Sequence, residues 1–299
     1  MEYRSVSKTA EAWGVSERSV RNYCAQGRVP GAFLTGKTWN IPTDAEKPAR
    51  ANARSARASN PLLARLIEEK EAGVQGGIYH KLQIELTYNS NHIEGSKLSK
   101  DQTRLIFETS TIGIAGEAVR VDDIIETVNH FRCIDYILEN ANKPVSERMI
   151  KELHGILKSG TADSRLSWFA VGGYKHLPNE VAGLPTAQPE EVAHCVRELL
   201  NGYEPKVRHS LEQIINFHVQ FELIHPFQDG NGRIGRLIML KECLASNVVP
   251  FIISDDMRAF YYRGLAEWDR EKGYLTDTCL AAQDKFKTWL DYFRIPHEG

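Results

Sequence analysis

The stretch His225-Pro226-Phe227-Gln228-Asp229-Gly230-Asn231-Gly232-Arg233-Ile234-Gly235-Arg236 limits what this chain can fold into more than any other. It gathers one imidazole, one carboxylate, three glycines, one asparagine and two arginines between two apolar segments. Upstream of it, after Ser210, Leu211, Ile214, Ile215, Val219, Phe221 and Ile224 recur at near-helical spacing. Downstream, residues 234–244 are long and apolar enough for a buried helix. The pattern predicts helix, glycine-rich loop, helix.

Such a loop suits a phosphate. The start of the second helix offers free backbone N–H groups and the positive end of the helix dipole. Gly230 and Gly232 let the backbone turn and come close to a ligand, as an anion-binding nest requires. Arg233 and Arg236 are three apart, so both are expected to face the same ligand, and a guanidinium fork matches phosphate oxygens. Asp229 is a candidate for holding Mg2+ through oxygen, and His225 for taking a proton from an attacking hydroxyl. These are the parts of a phosphoryl or nucleotidyl transfer site.

His-Pro-Phe-x-Asp-Gly-Asn-Gly-Arg-x-x-Arg, as residues 225–236 spell it, resembles the full signature of the Fic (filamentation induced by cAMP) family. Most of that family moves AMP from ATP to a protein hydroxyl. The resemblance implies a mainly α fold, a Fic-type helical bundle with a small β-hairpin flap over the site. It implies His225 as the base, and Gly230, Asn231 and Gly232 as the cradle of the α-phosphate. Arg233 would hold the β-phosphate, Arg236 the γ-phosphate and Asp229 the Mg2+. The implied partners are ATP and a target protein carrying a Ser, Thr or Tyr hydroxyl, this chain included.

A second motif lies at the end of the segment 78–95. There Ser90-Asn-His-Ile-Glu94-Gly95 resembles the family's inhibitory motif, (S/T)xxxE(G/N). Ser90 and Glu94 are four apart and share a helix face, and Gly95 suits a helix stop. The resemblance implies that Glu94 occupies Arg236 and so misplaces ATP. It also leaves a reverse reaction open, with Glu94 positioning a water to remove AMP from a modified protein. A flap is expected near residues 168–183. Residues 168–176 form its first strand in this reading, with Gly173, Tyr174 and Lys175 docking the target by strand addition. The resemblance implies Tyr261 or Tyr262 on the nucleobase side, while the residues themselves suit core packing.

A chain of 299 residues has room for a large domain and a small one. The boundaries suggested are 1–42, a linker at 43–60 rich in Ala, Arg and Ser, and 61–299. A net charge of −2 excludes polyanion binding by the chain as a whole, so any basic signal must be local. The five cysteines are scattered and form no CxxC, which argues against disulfide or zinc frameworks and for a cytoplasmic setting. No apolar run reaches membrane-spanning length, so no membrane partner is expected. A homo-oligomer is compatible with the sequence.

In the first forty residues, two short helical segments flank Gly14-Val15, with Ser7 and Ser16 as their expected N-caps and Gly27 as the stop. Residues 29–34 and 37–41, around Thr35-Gly36, suggest a hairpin. The pattern resembles excisionase and MerR-type winged helix-turn-helix domains. DNA binding would then use Arg18, Ser19, Arg21 and Asn22 on the second helix and Lys37 on the wing. The rival reading is a protein-docking module, because the positive excess is modest and Glu17 sits in the presumed recognition helix.

Overall fold

A computed structural model describes residues 2–25, 28–36, 38–48, 60–113, 118–181, 184–204 and 208–297. The chain divides into two compact units, Met1–Ser59 and Asn60–Gly299.

The first unit opens with β1 (Tyr3–Arg4), followed by α1 (Val6–Trp13) and α2 (Glu17–Ala25). The N-cap of α1 is Ser5 rather than Ser7; the Ser5 hydroxyl accepts the Lys8 N–H, and Ser7 lies inside the helix. Gly14 ends α1 in the left-handed conformation, and the Ser16 hydroxyl accepts the Ser19 N–H at the start of α2. β2 (Phe33–Thr35) and β3 (Thr38–Pro42) pair antiparallel, and β1 pairs with the other edge of β3. Val6, Ala10, Trp13, Val20, Cys24, Val29 and Ile41 form a miniature core. Gly27, Lys37 and most of the expected linker lie outside the described residues.

The second unit is helical. α3 (Pro61–Ala72) begins with Asn60 as N-cap and Pro61 in its first turn. α4 (Ile78–Ile93) follows the Gly76-Gly77 break and ends at Glu94 and Gly95, the latter at φ 96°. α5 (Lys100–Thr109) carries a Ser99–Gln102 capping box. α6 (Val121–Asn140) and α7 (Glu147–Lys158) pack against each other.

Between α7 and the next helix the expected flap is shifted. Residues 168–176 are turns and irregular chain, not a strand. The hairpin is β4 (Glu180–Val181) paired antiparallel with β5 (Leu184–Pro185). The reason lies in Lys175. It is 3% exposed, and its ammonium donates to Asn179 Oδ1 at 2.6 Å and Thr186 Oγ1 at 2.7 Å. Its backbone N–H donates to the Pro226 carbonyl at 2.9 Å. A residue bonded inward on both counts anchors the base of the hairpin and offers no free strand edge to a target. Gly173 and Tyr174 belong to the same packed segment: Gly173 donates its N–H to the Ala170 carbonyl, and the Tyr174 ring leans on Phe227.

α8 (Val192–Gly202) leads to α9 (Leu211–Ile224), which starts with a Ser210–Gln213 capping box. α10 (Asn231–Ser246) is buried along nearly its whole length, as the central helix of a bundle must be. α11 (Arg258–Ala266) and α12 (Gly273–Tyr292) close the unit. Leu82, Leu153, Phe221, Phe227, Ile234 and Leu237 belong to the main core around α10.

Candidate active site

The loop between α9 and α10 is held rigid by its own residues. His225 ends α9 at φ 50°, a conformation that costs a non-glycine residue about 1–2 kcal/mol, and its N–H reaches the Phe221 carbonyl. Phe227 is fully buried and stacks on His154 at 4.0 Å, which locks the loop into the core. Both functional atoms of the Asn231 side chain are committed to the Phe227 backbone, Oδ1 accepting its N–H and Nδ2 donating to its carbonyl, each at 2.8 Å. Asn231 therefore shapes the loop with its side chain and has only its backbone N–H to offer a ligand. Gly230 sits at φ 85°, and a Cβ there would meet Leu157 at 3.2 Å.

The His225 ring is held in one tautomer. Its Nδ1 lies 3.2 Å from the Glu222 carbonyl, a bond that puts the proton on Nδ1 and leaves the lone pair on Nε2. Burial holds its pKa down at about 4, against the pull of that carbonyl, so the ring is neutral at neutral pH.

The two arginines of α10 face different partners, not one. Arg236 is 4% exposed. Its Nε donates to Ser90 Oγ at 3.0 Å, and its Nη2 donates to the Ser90 carbonyl at 3.0 Å and to Glu94 Oε1 at 2.7 Å. Nη1 is buried and has no hydrogen-bond partner among the described residues. Arg233 donates to Glu126 through Nη1 and to Asp229 Oδ2 through Nη2 at 3.2 Å. The sequence spacing placed both side chains near the loop; distant carboxylates split their directions.

Glu94 occupies the place where an anion belongs. A Cβ on Gly232 would lie 2.3 Å from Glu94 Oε1 and 2.9 Å from Arg236 Nη1. The carboxylate therefore rests against the second residue of α10, at the positive end of that helix. As the C-cap of α4 it opposes the dipole of its own helix, and the contact with α10 offsets this.

Two residues that the sequence did not single out complete the network. Lys158, 2% exposed at the end of α7, donates to Asp229 Oδ2 at 2.7 Å and to Glu126 Oε1 at 2.5 Å. Neither Lys158 nor Glu126 belongs to a local motif; the hydrogen bonds that tie them into the site span 32 to 107 positions in sequence. Burial alone would push the Asp229 carboxyl up, but Arg233 and Lys158 outweigh it and hold the group well below the ordinary carboxylate range. Asp229 stays 46% exposed on its side chain, so an anionic oxygen remains within reach of a hard cation. That chemistry fits Mg2+, which needs few protein ligands when phosphates supply the rest.

Tyr261 is a core residue, as the packing alternative has it. It is buried, with its hydroxyl 2.6 Å from His218 Nε2. Tyr262 does border an apolar slot, together with Val181 of the hairpin, Val219, Leu223 and Leu265. In the first unit, Arg18, Arg21 and Asn22 are exposed on α2 and Ser19 is half-buried.

Residues 144–243 match the family model described as the Fic/DOC family. This stretch is a Fic/DOC domain. The Fic/DOC match begins just before α7 and ends within α10, so it spans Lys158, the hairpin and the whole signature loop. The chain is 28% identical over 183 residues to the protein adenylyltransferase fic-1 of Caenorhabditis elegans, covering 60% of this chain and 35% of that protein. It is 29% identical over 202 residues to the protein adenylyltransferase Fic of Aedes aegypti, covering 65% and 36%. The chain thus spans about a third of the length of these relatives. Among solved structures, a Fic domain containing signaling protein from Bacteroides thetaiotaomicron is similar with a TM-score of 0.57 at 26% identity, over 78% of this chain and 91% of that one. Fic-1 from C. elegans, at 19% identity, shares the fold with a TM-score of 0.60, over 79% and 73%.

Proposed function

We propose that the chain transfers AMP from ATP to a hydroxyl of a protein, itself included, and that Glu94 restrains the reaction. The observation that carries this reading is the carboxylate of Glu94 lying against Gly232 in the fork of Arg236. It marks an anion site at the start of α10, already filled by an internal anion. The names of the similar proteins as adenylyltransferases point the same way.

In the reaction, the target hydroxyl loses its proton to His225 Nε2 as its oxygen bonds to the α-phosphorus, and pyrophosphate leaves. Backbone N–H groups at Gly230, Asn231 and Gly232 take the charge that develops on the α-phosphate. Arg233 engages the β-phosphate. Arg236 engages the γ-phosphate once Glu94 has withdrawn, with its free Nη1 as a further donor. The slot beside Tyr262 takes the adenine edge. Asp229 would hold Mg2+, which neutralises phosphate charge when bound. β4 and β5, tied to the loop by the Asn179 amide on the Phe227 carbonyl at 2.8 Å, offer the strand edge that aligns a target segment.

The test is transfer of label from α-32P-ATP with Mg2+ by wild type, Glu94→Gly and Glu94→Gly/His225→Ala. Glu94→Gly is expected to label protein about tenfold more than wild type, and the double variant to lose the label. ATP binding without label in any variant would overturn the reading and bring AMP removal forward.

A second reading, compatible with the first, concerns the N-terminal unit. Its two helices, Gly14 turn and β2–β3 pair suit a winged helix-turn-helix, and Arg18, Arg21 and Asn22 stand exposed on α2. We propose that this unit binds DNA. Mobility shift on genomic fragments, with affinity falling steeply as salt rises, tests it; unchanged binding in Arg18→Ala/Arg21→Ala would sink it.

A further inference from the structure

Lys158, Glu126, Arg233 and Asp229 form a closed square of charge beside the signature loop, in which each cation bonds both carboxylates. Lys158 Nζ donates to Glu126 Oε1 at 2.5 Å and to Asp229 Oδ2 at 2.7 Å. Arg233 donates to Glu126 Oε2 through Nη1, and to the same Asp229 Oδ2 through Nη2 at 3.2 Å. The Asp163 carboxylate stands outside the square, 3.6 Å from Nζ. Adenylyl transfer asks one corner to move, because Arg233 must turn to the β-phosphate.

The two cations differ in freedom. Lys158 is locked. Its side chain is 2% exposed, and its stem runs under the loop, where a Cβ on Gly230 would meet its Cδ at 3.8 Å. The buried Phe169 ring lies 5.4 Å from Nζ. The backbone is pinned as well. Thr161 Oγ1 donates to the Lys158 carbonyl at 2.9 Å, and Asn129 Nδ2 donates to the carbonyls on either side, Leu157 at 3.0 Å and Ser159 at 2.8 Å. Arg233 instead sits in the first turn of α10, next to the loop. Its Nε is buried with no hydrogen-bond partner among the described residues, so the guanidinium holds a donor in reserve.

We infer that Lys158 is a positioning residue for the nucleotide: it is the fixed counter-ion that holds Glu126 and Asp229 while Arg233 turns to the β-phosphate. The inference rests on the adenylyl-transfer reading and deepens it. Glu126 is only 14% exposed on its side chain, and a carboxylate so shut from water cannot lose its only cation cheaply. Without Lys158, both carboxylates depend on Arg233, and a phosphate must compete with two anions for one guanidinium. With Lys158, each carboxylate keeps an ammonium bond when Arg233 leaves. Lys158 does not reach the nucleotide; it acts through Arg233.

The experiment is equilibrium binding of a fluorescent ATP analogue to the full chain in EDTA, in the Glu94→Gly background, so that neither a metal nor the Glu94 contact enters. Lys158→Met is expected to weaken binding about tenfold, Arg233→Ala at least as much, and the two together no further than Arg233→Ala alone. A loss by the same factor from Lys158→Met with and without Arg233 overturns the inference, as does unchanged affinity in Lys158→Met. If Lys158→Met fails to fold, Lys158→Met/Glu126→Gln takes its place; it removes one charge of each sign and leaves Arg233 only the half-exposed Asp229. Affinity within about twofold of the background then supports the inference, and a tenfold loss overturns it. Unchanged affinity in Arg233→Ala overturns the nucleotide role of that arginine and the inference with it. No transfer is measured, so a missing label in the labelling assay remains a separate result.

Discussion

Arg18 and Arg21 in α2 stand at the same three-residue spacing as Arg233 and Arg236 in α10, each pair near the start of its helix. In α2 both side chains face solvent, and Arg21 pairs with Glu17 one turn away, at 2.8 Å and with both partners about half exposed. In α10 both are 4% exposed and bond to carboxylates 107 and 142 positions away in sequence. The first arrangement is a solvated helix pair of the kind worth about 0.3–0.5 kcal/mol. The second is a buried charge network, in which removing one member strands another. Identical spacing therefore says where two guanidiniums start and nothing about what they do; burial and distant partners decide that.

The sharpest way to break the comparison is to remove an α10 arginine. Arg236→Ala in the Glu94→Gly background should lower labelling from α-32P-ATP by about a hundredfold, the scale of losing a donor aimed at transition-state charge. Label retained at the Glu94→Gly level would reduce Arg236 to the status of Arg21. The network should also show in stability. Lys158→Met removes the ammonium shared by Glu126 and Asp229, and we expect a loss of about 3 kcal/mol in urea unfolding, the low end for such a break because Arg233 remains. A loss under about 0.5 kcal/mol would mean that the cluster behaves like a surface pair.

The buried site should also carry a pH signature that α2 lacks. The folded protein keeps the Glu222 proton up to about 8, while the unfolded chain releases it near its ordinary value of 4.5. The folded state then binds more protons, so stability falls as pH rises between those values. Glu222→Gln removes this contribution and should lessen the fall between pH 6 and pH 8 by about 2 kcal/mol, read from urea midpoints at the two pH values. Equal slopes in both proteins would mean that Glu222 ionises freely in the fold. The smallest effect belongs to α2: Arg21→Ala should change stability by less than about 0.5 kcal/mol. A larger change would show that the exposed pair does structural duty after all.

The helix–loop–helix, the stop at Gly95 and the contact of Glu94 with Arg236 were legible because each rests on a local pattern or a motif resemblance. The flap was placed too early. Trp168, Phe169, Val171 and Tyr174 look like strand residues, yet Phe169 and Tyr174 pack onto His154 and Phe227, and Lys175 turns inward. Lys158, Glu126 and Glu222 went unnoticed for the opposite reason: on their own helices they look like ordinary charged residues.

What the sequence determined by itself is chemistry carried within a few turns of chain. The glycines at 230 and 232, the imidazole at 225 and the helix-start arginines are fixed by spacing and backbone conformation, which act over short separations. The tertiary structure alone decided which charge meets which: Arg233 with Glu126 and Asp229, Arg236 with Ser90 and Glu94, and Glu222 with its Oε1 unbonded among the described residues. Electrostatic energy depends on distance through space and on burial, and neither is set until separate helices pack around α10.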